Sequence, residues 1–161
     1  MLVINGEKIY QEEYDFLSKV STGVTGEKDT DQRVILMKLE QQLLNKNGVV
    51  GDISYDAFIN ELNNVNQERE KALENGSPIY GPSQYSEKVY YDYKYSEARE
   101  VFIRDHLMQD ISDEEYDAFI KELGVTNETS EDQLLIRYQI AQKKYQEEIA
   151  LLQSHIRNRI K

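Results

Sequence analysis

The chain has 161 residues, 30 acidic against 19 basic for a formal charge of −11, and no cysteine. That length suits one compact domain with a core of its own, and the missing thiols exclude disulfides and thiolate metal sites. An acidic balance without a basic stripe argues against nucleic-acid binding. Two isolated histidines, His106 and His155, do not make a zinc centre, and no apolar run approaches the ~18 residues of a membrane span.

In chain order, "LVINGEKI" places a β-branched pair before Asn5-Gly6, a strong turn signal, and reads as one short strand entering a turn. Helical periodicity follows. The first helix is expected from about Gln11 to Val20, with Tyr14, Phe16, Leu17 and Val20 on its apolar side. "STGVTGEKDT" is a loop. The second helix is expected from about Asp31 to Asn47, stopped by Gly48. Val34, Ile35, Leu36 and Met37 point around its whole circumference, as in a helix central to a core.

The third helix starts at Ser54, a favourable N-cap, and carries a stripe of Phe58, Ile59, Leu62 and Val65. Its tail, "NQEREKALENG", turns polar and is expected to run into solvent before stopping at Gly76. "GSPIYGPSQYS" holds both prolines, Pro78 and Pro82, and is a connector that no helix crosses. The fourth helix spans about Gln84–Gln109. The fifth, about 113–123, opens on a capping box of Ser112 and Glu115.

After "GVTNETS", Ser130 and Gln133 are expected to cap the last helix in the same way. Its stripe is Leu134, Tyr138, Ala141, Tyr145, Ile149, Leu152, Ile156 and Ile160. At about 1.5 Å per residue this helix is roughly 45 Å long and ties distant parts together. An alternative pairs the final residues as a strand with Leu2–Ile4. The closing cations of "HIRNRIK" complement the helix dipole. The fold class is therefore mainly α: an irregular bundle of about six helices, a short N-terminal strand and turn, and a long closing helix.

One phrase occurs twice. Tyr55–Leu62 and Tyr116–Leu123 differ only at Asn60 against Lys121. Both copies follow Ile-Ser at a helix start, but their flanks do not match. Two helices with a shared need for a cap and a stripe account for this better than a duplicated domain or a catalytic box.

Motif by motif, the chain offers little chemistry. "GVTGEKDT" (Gly23–Thr30) resembles a phosphate loop, but Glu27 separates Gly26 from Lys28 and helix rather than strand precedes it. "DISDEEYD" (Asp110–Asp117) lacks the glycine of a calcium loop. Paired carboxylates such as Glu12/Glu13 and Glu147/Glu148 read as solvated faces, and no nucleophile–base pair is present. The chain is expected not to be an enzyme and to need no cofactor or metal.

The tyrosines are more informative: six of the twelve fall between Tyr80 and Tyr95. On a helix, Tyr91 and Tyr95 share a side with Ala98 and Phe102, while Tyr90 and Tyr93 lie on another with Val89 and Val101. The apolar arc exceeds half the circumference. Either the helix is sandwiched between two neighbours, or one side lines a groove, a role that large, stiff, amphipathic tyrosine suits. The candidate peptide-binding set is Tyr80, Tyr85, Tyr90, Tyr91, Tyr93, Tyr95 and Phe102. On the groove reading, replacing Tyr91 and Tyr95 by alanine weakens binding more than it lowers the melting temperature.

"VINGEKI…EEYDFL", "LEQQLLNKNGVVGDISYDAFINELNNVNQEREKALENG…IYGPSQYSEKVYYDY" and "ISDEEYDAFIKEL" together resemble the SurA-type N-terminal chaperone domain, in the variety of PrsA-like exported foldases. The similarity covers Val3 to about Leu123, and the last helix fits the family's closing helix. It implies one chaperone domain over 1–161, built from an N-terminal segment (1–123) and a C-terminal closing helix (130–161). In that family a parvulin isomerase domain usually follows the helix matching Ser112–Leu123. Here only "GVTNETSEDQ" stands in that gap, so prolyl isomerase activity is expected to be absent. Tyr10 sits where relatives favour Ser or Thr as a helix cap.

The resemblance implies an ATP-independent holdase for unfolded or extended polypeptide, acting outside the cytoplasm, exported or membrane-anchored, with its leader not part of this chain. The alternative function is an acidic helical interaction module with one dedicated partner, or a homodimer formed through the C-terminal helix.

Overall fold

The computed structural model describes residues 2–20, 29–126 and 128–159, the last three as backbone alone. The phosphate-loop look-alike up to Lys28, Ile160 and the side chains of the terminal cations lie outside the described residues. The protein is mainly α, with six α-helices and a two-stranded sheet among the described residues. Two compact units divide it, Met1–Glu97 and Ala98–Lys161. The boundary between them falls inside the fourth helix.

In the first unit, β1 (Leu2–Ile4) and β2 (Glu7–Ile9) form an antiparallel hairpin with Leu2 opposite Ile9 and Ile4 opposite Glu7. Asn5 and Gly6 both take positive φ, 52° and 86°, the backbone that a two-residue hairpin turn demands. The expected lone strand is thus half of a hairpin, and it pairs with β2 and not with the C-terminus, which stays helical to Arg159. Helix α1 (Gln11–Lys19) starts at Tyr10 with no side-chain cap. Helix α2 (Thr30–Lys46) is capped by Asp29, whose carboxylate accepts from the Gln32 amide.

The reading of α2 as central is correct. Val34, Ile35, Leu36, Met37 and Leu39 are all buried, and so are Lys38, Glu40 and Gln41 between them. Sequence periodicity gave no sign of the last three. Lys38 Nζ lies 2.6 Å from Glu7 and 2.7 Å from Glu13 and donates to the Ile53 carbonyl at 3.1 Å. Two hydrogen bonds and a second ion pair thus meet at one ammonium, and one side chain joins β2, α1, α2 and the approach to α3.

Helix α3 (Tyr55–Glu74) begins at the expected cap, with the Ala57 amide donating to Ser54 Oγ. Beyond Val65 only Asn66, Arg69 and Ala72 are even partly covered, and Gly76 ends the run at φ 69°. Helix α4 (Glu87–Phe102) carries the tyrosines and leads into one turn of π-helix, Ile103–Leu107. The fourth helix is therefore shorter than expected.

In the second unit, α5 (Asp113–Leu123) opens on the Ser112/Glu115 capping box, complete in both directions. Helix α6 (Ser130–Arg159) is continuous, but its box lies one residue earlier than expected. The Thr129 hydroxyl accepts from the Asp132 amide while Asp132 accepts from the Thr129 amide. Asp132 competes better than Gln133 because an ionised carboxylate makes the stronger bond to backbone N–H.

The stripe of α6 is also rotated at its start. Ile136 and Ile140 are buried there, while Leu134 is 63% exposed. From Ala141 through Tyr145, Ile149 and Ile156 it runs as expected. Tyr145 packs edge-on to Phe102, its ring 6.3 Å away, beneath the Arg99 guanidinium.

The repeated phrase is used differently in its two copies. Phe58 and Leu62 are buried in α3. Their counterparts in α5 are a half-buried Phe119 and an exposed Leu123, and it is Tyr116 that is buried. The copies share a cap, not a buried face.

Candidate functional site

Two surfaces compete for the role of binding site, one in each unit. The first is the tyrosine stretch. Tyr90, Tyr91 and Tyr95 are 5%, 2% and 3% exposed, so they do not line a groove. The covering comes from both sides of α4. Tyr91 meets Phe16 of α1 and Phe58 of α3 edge-on at 5.6 and 5.8 Å, receives a hydrogen bond from Gln41 Nε2, and packs on Tyr95 at 4.4 Å. Tyr90 leans on Phe58 and donates to Glu61 at 2.6 Å, and Lys94 pairs with that same carboxylate. Phe102 is equally buried, in the second unit. The wide apolar arc on α4 is therefore a sandwiched helix, and four of the seven candidate residues are core.

Tyr80, Tyr85 and Tyr93 reach the surface. Tyr93 is half exposed and stacks on Tyr85 at 5.9 Å, while Arg69 of α3 covers the other ring at 4.8 Å. The proline connector is clamped from α3. Arg69 donates to the carbonyls of Pro82 and Tyr80, and the Asn66 side chain exchanges two hydrogen bonds with the Tyr85 backbone. Gly81 sits at φ 81°, where a side chain would be strained. Tyr80 is thus held out at 88% exposure on a clamped loop.

Burial and the Glu61 carboxylate push the Tyr90 hydroxyl far up; burial does the same to Tyr95, helped by the charges of Glu61, Glu40, Glu13 and Glu7. A phenol whose pKa is raised by folding adds stability that is complete below its unfolded value, about 10. That stability is lost as pH rises toward the folded value. Urea unfolding should therefore show resistance falling steadily above about pH 10. A Tyr90→Phe/Tyr95→Phe variant should lose most of that slope, and an unchanged slope would contradict the assignment.

The second surface lies wholly in the second unit. Leu134, Leu135 and Tyr138, on the first turns of α6, form an open furrow of about 330 Å³ with Met108. Glu100, Arg104 and Glu131 edge it. Leu134 and Leu135 are 63% and 56% exposed, an adjacent aliphatic pair that the unit does not cover. The Tyr138 hydroxyl donates to Glu100 at 2.5 Å, which holds the ring along the wall and raises its pKa. Arg104 is turned to its neighbour Asp105, with two hydrogen bonds at 2.7 and 3.1 Å.

The volume is at the lower end of small-ligand sites, but the furrow is open-sided. Its apolar floor, adaptable Met108 and anchored Tyr138 suit the side chains of a passing polypeptide. Sequence reasoning missed it. The signal was three apolar residues in a row, Leu134-Leu135-Ile136, where a stripe at helical spacing needs fewer.

Among the described residues no cluster of carboxylates and histidines is placed to hold a metal, and no helix is long and apolar enough to cross a membrane. No family model, curated protein or solved structure matches the chain.

Proposed function

We propose that this protein is an ATP-independent chaperone domain that holds unfolded or extended polypeptide, without prolyl isomerisation, and works outside the cytoplasm. The observation that carries the reading is the aliphatic furrow of Leu134, Leu135, Met108 and Tyr138, where two adjacent leucines stay 63% and 56% exposed beside one another. A binder of varied apolar segments needs such a surface, open along its length and lined by adaptable residues. The resemblance of Val3 to about Leu123 to the SurA-type chaperone domain points the same way, as does the absence from the sequence of a nucleotide loop. Binding lowers the concentration of unbound, aggregation-prone client by mass action, and the acidic surface keeps the complexes soluble.

The test is light scattering from a chemically unfolded client diluted into buffer without nucleotide. The protein should suppress aggregation at near-stoichiometric ratios. A Leu134→Asp/Leu135→Asp variant should lose most of that activity while keeping its melting temperature within a few degrees, since both side chains are already exposed. Undiminished activity in that variant would refute the furrow as the site. A concentration-independent dimer that ignores unfolded clients would favour the alternative, an interaction module with a dedicated partner.

A further inference from the structure

Charge around the furrow is mainly acidic. Glu100 and Glu131 stand at its edge, and among the described residues neither forms an ion pair with a lysine or arginine. Glu100 accepts a hydrogen bond from the neutral Tyr138 hydroxyl. Arg104, which also lines the furrow, directs its hydrogen bonds to Asp105. An occupant therefore meets an aliphatic floor lined by two carboxylates and by one arginine that is bonded to Asp105, in a protein whose formal charge is −11.

Resting on the chaperone reading, we infer that the furrow selects its clients by charge: it takes short aliphatic or aromatic segments flanked by lysine or arginine, and it discriminates against the same segments flanked by acids. Leu134 and Leu135 receive the apolar side chains, and Glu100 and Glu131 receive the flanking cations. Like charges at such edges also slow the approach of acidic chains, so part of the selection appears in the association rate. A second copy of this chain is a poor occupant, because its own surface is acidic.

The experiment is fluorescence-anisotropy titration of the protein with two labelled peptides sharing a Phe-Leu-Leu core, one flanked by lysine pairs and the other by glutamate pairs. At low ionic strength the lysine-flanked peptide should bind on the order of tenfold more tightly, the sum expected of a few exposed charge pairs. Raising the salt to about 0.5 M should shrink the ratio, because screening shortens to a few ångströms. Glu100→Gln/Glu131→Gln should bring the two affinities together, and Leu134→Asp/Leu135→Asp should weaken both peptides.

Equal affinities in the unsubstituted protein, with both lost on replacing the leucines, would overturn the charge selection and leave the chaperone reading standing. Failure of both peptides to bind, while aggregation of an unfolded client is still suppressed, would overturn the assignment to this furrow. A dimer that both peptides fail to dissociate would overturn it too, in favour of self-association.

Discussion

Replacing Lys38 by alanine should cost the first unit about 3–5 kcal/mol, because removing one partner of a buried ion pair strands the other. Lys38 is fully buried and the Glu13 side chain is only 9% exposed, so the Glu13 carboxylate has little access to water. Glu7, at 31%, is rehydrated more easily. Urea unfolding gives the number. A combined Lys38→Met/Glu13→Leu variant should recover most of the loss, since apolar residues of similar size often replace buried ion pairs without penalty. A loss below about 1 kcal/mol for Lys38→Ala would show that the ammonium is not the tie that its two ion pairs suggest.

Tyr91→Ala and Tyr95→Ala form the second large case. Each removes a buried ring from the contact of α4 with its neighbours, and truncating a large buried aromatic costs about 3–5 kcal/mol. The two rings touch at 4.4 Å, so the double variant should not show the plain sum. Protein that remains folded at low temperature should still suppress aggregation, because neither ring reaches solvent. Selective loss of client binding at unchanged stability would restore the groove that the sequence suggested on α4. Loss of stability alone supports the core assignment.

These two cases show where the sequence was legible and where it was not. Caps and helix starts were readable because they depend on residues three positions apart: Ser54, Ser112 and the turn at Asn5-Gly6 all behave as written. The exception, Thr129/Asp132 in place of Ser130/Gln133, turns on which of two adjacent boxes offers the stronger acceptor. The central place of α2 was visible in Val34–Met37.

Lys38 was hidden in the same run because its partners, Glu7 and Glu13, come from other elements and no spacing announces them. The tyrosine arc on α4 was read from the right geometry, and both of its outcomes were foreseeable. What decided between them was the supply of Phe16, Phe58 and Glu61 from α1 and α3, which only the packed chain reveals. The repeated octapeptide teaches the same point, since identical residues bury Phe58 in one helix and Tyr116 in the other. The furrow went unread because the expected stripe counted Leu134 as core, whereas Ile136 and Ile140 take that place.

The most direct test is methyl NMR of the protein titrated with an unfolded polypeptide that cannot refold. The methyl resonances of Leu134, Leu135 and Met108 should shift or broaden at substoichiometric client, while those of the buried Ile35 and Leu39 stay in place. If the furrow methyls remain still while the ring signals of Tyr80 and Tyr93 move, clients are held elsewhere and the furrow is not the binding surface.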